Sequence, residues 1–318
     1  MDNDYERYKK DMNVILDRAS QDKEISKQNL DKVSTYIEQL NSYIYNDIEL
    51  TDNAIYSKLK WMYEKLSFNF IYKLEEDILL KRARKYEEKN SSYYCFQNTD
   101  ELSYIQNSDF AGRGRLNKNK EPMYYGVIYK SNFNEFDTEL SEINARELDY
   151  INILVSQASQ SLYTLYIGAF DLCIRGQKFP KWIHPKIKNN YKLFYSECYK
   201  KNNSYLLESH ILCSAFFADI LSRKNEDNLY KVTSILASMI LENKDIDSII
   251  YESVQVKGAP CIVIKPTAVD EKVKHIKAMS VKVVSNFGYG IYYADKLYNS
   301  EYIEKNGDIV WKEMSKIY

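Results

Sequence analysis

Glycine and proline are scarce in this chain and unevenly spread. The first of nine glycines is Gly112, and the first of five prolines is Pro122. These two residues break helices more strongly than any others, so no strong helix breaker occurs before residue 112. The glycines that do occur exclude two phosphate loops. GRG at 112–114 is neither the G-x-x-x-x-G-K-[ST] loop nor the G-x-G-x-x-G dinucleotide fingerprint. Histidine is rarer still: His184, His210 and His275 stand far apart in sequence, which argues against a zinc site, so no metal is expected. Cys95, Cys173, Cys198, Cys213 and Cys261 contain no C-x-x-C pair. Their odd number and the charged start, MDNDYERYKKDMN, lead us to expect reduced thiols in a cytoplasmic protein. No uninterrupted apolar run reaches the ~20 residues that span a bilayer, so no membrane segment is expected. Charge of one sign is missing too: Lys+Arg 44 against Asp+Glu 45 gives a net charge of -1. That balance argues against a generally basic nucleic-acid binder, and KNK at 118–120 lies in no known reader motif.

What is present is globular: 45% hydrophobic and 28% charged residues over 318 positions, enough for more than one small domain. Ile55, Leu59, Met62, Leu66 and Phe70 recur at helical spacing, and DMNVILDRA and LDKVSTYIEQLNSYI do likewise. We expect residues 1–78 to form a helical N-terminal domain. From Tyr93 the texture changes. PMYYGVIY, YINILV, LYTLYIGAF, DSIIYESVQV, CIVIKP and MSVKVVS are short and rich in β-branched and aromatic residues, as strands are. Residues 186–257 again lack glycine and proline, and LLESHILCSAFFADILSR and LYKVTSILASMILEN read as helices. The expected class is α+β, with a helical insertion at about 186–246 in a domain spanning 79–318.

Four stretches carry candidate chemistry. AGRGRLNKNKEPMYYG at 111–126 reads locally as a loop into a hairpin with NKNKEP as the turn, although its arginines suit phosphate oxygens. KRAR at 81–84 reads as the basic end of a helix, complementing the dipole there. TELSEINAREL at 138–148 holds three glutamates, of which Glu139 and Glu142 lie three apart on a similar helical face. In DSIIYESVQVKGAP, alternation puts Tyr251 and Ser253 on one face. Ser253 lacks the G-x-S-x-G context of a nucleophile and reads better as a hydrogen-bonding residue.

Together and in this order, the RAR arginine, GRLNKNKEPMYYG, the glutamate of TELSEI and YESVQVKGAPCIVIKPTAVDEKV resemble the RES-domain family, over about residues 79–285. ELSYI at 101–105 and LYIGAF at 165–170 are similar to further family segments. The resemblance implies an ADP-ribosyltransferase-like fold with a mixed or split β-sheet, and consumption of NAD+ as substrate. It also implies a bacterial toxin or phage-defence effector, with an antitoxin or regulatory partner. Residue by residue, it implies Arg82 and Arg115 as the family arginines, Tyr125 as the tyrosine, Glu142 as the glutamate and Ser253 as the serine. Glu142, Arg115 and Ser253 would be catalytic, and Arg82, Arg115, Tyr125 and Ser253 would bind the dinucleotide. Arg84, Tyr124 and Glu139 remain rivals for their neighbours' places, and Arg113 becomes a surface residue. Ala83 stands where some members have tyrosine, and Glu252 stands where the family has proline.

The chemistry expected from this resemblance is simple. The nicotinamide leaves neutral, so no strong acid is needed, while positive charge grows on the ribose as in glycoside cleavage. A fixed carboxylate stabilises that charge. Water, phosphate or a protein side chain remain open as acceptor. A protein ADP-ribosyltransferase and a non-catalytic helical interaction module remain the alternatives, and self-association stays open.

Overall fold

The computed structural model describes residues 2–68, 70–87, 94–129, 136–177, 179, 185–224, 227–256 and 258–314. Tyr93, His184 and Lys257 lie outside that set. In chain order the elements are α1 (Asp2–Ala19), α2 (Lys23–Ile44), α3 (Asp52–Leu66), β1 (Ile71–Leu74), β2 (Leu79–Lys85), β3 (Tyr124–Ile128), α4 (Asp137–Glu142), β4 (Tyr150–Ala158) and β5 (Leu162–Tyr166). There follow α5 (Ala169–Ile174), α6 (Pro185–Lys200), α7 (Ser204–Ser222), α8 (Asp227–Leu241), β6 (Ser248–Glu252), β7 (Pro260–Ile264), α9 (Pro266–Lys272), β8 (Val273–Asn286), β9 (Tyr292–Ile303) and β10 (Ile309–Glu313). The class is α+β, with a ten-stranded mixed sheet ordered β1-β5-β6-β7-β3-β2-β4-β8-β9-β10. Every pairing from β6 through β10 in that order is antiparallel.

The chain divides into two compact units. One comprises Met1–Tyr72 with Leu165–Asn243, and the other Lys73–Thr164 with Lys244–Tyr318. The N-terminal helices therefore share a unit with the later helices, where the sequence suggested a separate domain of residues 1–78 and an insertion at 186–246. The reason is side-chain contact. Asn203, the residue before α7, donates from Nδ2 to the Gln21 carbonyl (3.0 Å) and to Ser26 Oγ (3.1 Å). Its Oδ1 accepts from Leu206 N (3.3 Å) and so caps α7. Asp22 caps α2 through Glu24 N (2.8 Å), and Thr51 caps α3 through Ala54 N (3.2 Å). Ile55, Leu59, Met62 and Leu66 are buried as their spacing required, but Phe70 lies beyond the helix. Phe68 and Phe70 instead join an aromatic cluster with Phe170, Tyr191, Phe194 and His210, with ring centroids 4.6 Å apart for Phe68 and Phe194. One helix among the described residues, α7, is long and apolar enough to cross a membrane. Its Leu206, Cys213, Phe216, Phe217, Ile220 and Leu221 are buried within this unit.

The second unit holds most of the sheet. KRAR lies on strand β2, not at a helix end. The apolar Leu79 and Leu80 ahead of it and the pairing with both β3 and β4 override its helix-like composition. LYTLYIGAF divides: its first part is β5, then Gly168 at φ 100° turns the chain into α5. Strand β1 falls inside the stretch expected to be helical, and β9 and β10 had no counterpart among the expected strands.

Candidate functional site

Four neighbouring strands set one row of side chains. Lys81 on β2 is opposite Val127 on β3, Val127 is opposite Cys261 on β7, and Cys261 is opposite Tyr251 on β6. Residues directly opposite one another share a face, so this row forms a floor. Tyr125 joins it two residues before Val127, and Ser253 follows two residues after Tyr251. Helix α4 contributes Glu139 and Glu142 from positions three apart, hence from one side of the helix. Lys81, Tyr125, Val127, Tyr251, Cys261, Glu139 and Glu142, together with Arg82, Ala83, Gly126 and Ile143, line a cleft of about 560 Å3, its open mouth included.

The central contact joins two residues 111 positions apart. Ser253 Oγ donates to Glu142 Oε1, and the same oxygen accepts from Gln255 N (3.1 Å) and Val256 N (2.9 Å). Ser253 is buried and Glu142 half-buried. The two backbone donors fix the serine oxygen, which in turn fixes one oxygen of the carboxylate. Glu252 stabilises the same turn by accepting from Gly258 N (2.6 Å). Ser253 N donates to the Ala259 carbonyl at 2.8 Å and closes it.

Cys261 adds a thiol to this cluster. Burial first, then the Glu142 charge and a hydrogen bond with Glu142, push that thiol well above its ordinary pKa, so it stays protonated. Tyr251 is raised in the same way, by burial and then by Cys261, Glu142 and Tyr125, with Arg115 opposing. The loop that carries Arg115 borders the cleft through its neighbour Leu116, whose N donates to the hydroxyl of cleft-lining Tyr125 at 2.8 Å. Behind the floor, Gly126 makes room for the Tyr124 ring, since a Cβ there would meet that ring at 2.9 Å and the Lys81 carbonyl at 3.1 Å.

The sequence rivals separate. Tyr125 lines the cleft, whereas Tyr124 points to the other face, fully buried, with its hydroxyl 3.4 Å from Ser156 Oγ. Arg84 is exposed and donates to the Glu101 carbonyl away from the cleft. Glu139 and Glu142 both line it, Glu139 being only 4% exposed. Arg113 is exposed; the Gly114–Asn117 bridge closes a turn at Arg115–Leu116, and a second turn falls at Asn119–Lys120 within NKNKEP. Its following strand β3 pairs with β2 and β7, so no hairpin arises from that turn.

Arg82 borders the cleft, yet alternation sends its side chain to the opposite face from Lys81. Its Nε donates to the Leu102 carbonyl and its Nη1 to the Tyr125 carbonyl, both at 2.9 Å, and burial lowers its pKa. That guanidinium braces β3 from behind. The strand-borne cation on the carboxylate face is Lys81, which the sequence reading assigned no role. It is 4% exposed, with Nζ 3.8 Å from the centroid of the Tyr129 ring. Only the pairing register reveals it, because KRAR offers three basic residues of similar appearance.

Among the described residues no group of histidine, cysteine and carboxylate side chains could hold a metal. No protein-family model matches the chain, and a search of curated proteins finds no match.

Proposed function

We propose that the cleft binds NAD+ and cleaves its nicotinamide–ribose bond, as an enzyme of RES type with an ADP-ribosyltransferase-like fold. One observation carries the reading: the Ser253 hydroxyl is held by two backbone amides and donates to the carboxylate of Glu142, which lines the cleft. The motif resemblance pairs the same two residues from opposite ends of the domain. A carboxylate fixed in this way offers negative charge where an oxocarbenium-like ribose develops positive charge. Tyr125 and Tyr251 supply flat surface for the nicotinamide ring. Lys81 and Arg115 supply positive charge for the diphosphate, and no acid is required because nicotinamide leaves neutral. The role that follows is a cytoplasmic growth-arresting toxin or defence effector restrained by a partner protein.

Incubating the purified protein with NAD+ labelled in the adenylate half, followed by product separation, tests this reading. Free nicotinamide with free ADP-ribose or its phosphate ester is the expected result. Label transferred to one protein in a cell extract would replace it with the transferase alternative. Intact NAD+ under water, phosphate and protein acceptor conditions would overturn it and favour the non-catalytic module.

A further inference from the structure

The loop that carries Arg115 is organised around one side chain, Asn117, with every polar atom engaged. Asn117 is 5% exposed. Its Nδ2 donates to the carbonyls of Gly112 (2.8 Å) and Lys118 (2.9 Å). Its Oδ1 accepts from the Tyr125 hydroxyl at 2.8 Å, and that hydroxyl also accepts from Leu116 N at 2.8 Å. The loop closes on itself where Gly114 N donates to the Asn117 carbonyl at 3.1 Å. Gly114 is required by this packing, since a Cβ there would lie 2.4 Å from Asn117 Oδ1 and 2.9 Å from the Tyr125 hydroxyl. Arg115 therefore sits between two anchored neighbours, Gly114 and Leu116, both tied to the Asn117–Tyr125 pair. The Tyr125 ring faces the cleft while its tip is committed to the loop.

We propose that Asn117 is a positioning residue: through the Tyr125 hydroxyl it presets the Arg115 guanidinium beside the cleft floor. Holding a long cationic side chain in its bound geometry lowers the ordering cost of binding an anion, so the effect belongs in substrate affinity more than in turnover. The inference rests on reading the cleft as a dinucleotide site, with the Arg115 guanidinium meeting the diphosphate.

The test compares Asn117→Ala, Tyr125→Phe, Arg115→Ala and the Asn117→Ala/Arg115→Ala double variant of the full chain. Two readouts are used: KM and kcat for NAD+, and amide hydrogen exchange at Gly114 and Leu116. Tyr125→Phe removes one oxygen and keeps the ring, which guards against a folding failure of Asn117→Ala. The expected result is faster exchange at both amides in Asn117→Ala and Tyr125→Phe, with KM up about tenfold and kcat within about threefold, a shift of about 1.4 kcal/mol. The double variant should be no worse than Arg115→Ala alone. Unchanged exchange in both variants would overturn the anchoring. Additive losses in the double variant would show that Asn117 acts independently of Arg115 and would overturn the positioning role. A wild type that consumes no NAD+ would remove the dinucleotide reading, and the exchange data would then decide the anchoring alone.

Discussion

Replacing Ser253 with alanine removes one oxygen that makes three hydrogen bonds, to Glu142 and from Gln255 N and Val256 N. The bond to the carboxylate is charge-assisted, of the kind that contributes about 1.5–3 kcal/mol. The two amides border exposed Gln255, so water replaces much of what they lose. If the serine holds the carboxylate in its reacting position, that same energy is missing when the ribose becomes cationic. At about 1.4 kcal/mol per tenfold, turnover falls roughly 10–100-fold. KM should move less than about threefold, because the ground-state substrate carries less charge at that carbon. NAD+ consumption over a range of substrate concentrations measures both quantities, and a thermal unfolding curve reports any loss of fold. Ser253→Thr, which keeps the hydroxyl, should retain more activity than alanine. A Ser253→Ala enzyme with unchanged turnover and an unchanged melting temperature would refute the claim that this contact orients the carboxylate.

Other outcomes follow from named contacts. Lys81→Met leaves Glu139 and Glu142 without the cation on their face of β2, and kcat/KM for NAD+ should fall at least about tenfold; an unchanged value removes Lys81 from the site. Gly114→Ala places a methyl group 2.4 Å from Asn117 Oδ1, so the Arg115 loop must shift, and KM should rise with little change in melting temperature. In the first unit, burial and then Arg18 lower the His210 pKa to about 3, and its Nδ1 donates to the Leu206 carbonyl at 2.9 Å. A histidine depressed in the folded state is protonated first in the unfolded chain, so its contribution to stability is complete above pH ~6.5 and is lost as pH falls towards 3. Its slope is at most about 1.4 kcal/mol per pH unit, and His210→Gln should flatten the acid limb of a stability–pH curve by up to that amount.

Much of the fold was legible because packing agreed with local pattern. Helices α1, α2, α3, α7 and α8 followed apolar periodicity, and β3, β4, β6, β7 and β8 followed short β-branched runs bounded by turn residues. The failures have physical causes. KRAR is composed like a helix end, but two flanking strands recruit it. Strand β9 is charged and half-exposed, with no apolar run to mark it. The joining of α1–α3 with α6–α8 in one unit depends on Asn203 and an aromatic cluster assembled from distant segments, which no local window contains. At the site, motif order nominated Glu142 and Ser253, and the structure brings them into contact. It left Tyr124 against Tyr125 and Arg82 against Arg84 open and passed over Lys81, because those choices depend on which face of a strand meets α4. Nor could it show that Arg82 is committed to backbone carbonyls.

Glu142→Gln is the most direct test of the account. The amide keeps the shape of the carboxylate and an oxygen for the Ser253 hydroxyl while removing the charge. Nicotinamide release from NAD+ by wild type and variant, measured at saturating substrate, isolates that charge. Turnover should drop by about 10²–10³-fold with KM within a few-fold of wild type. A Glu142→Gln protein that releases nicotinamide as fast as wild type would contradict the claim that this carboxylate stabilises the reaction.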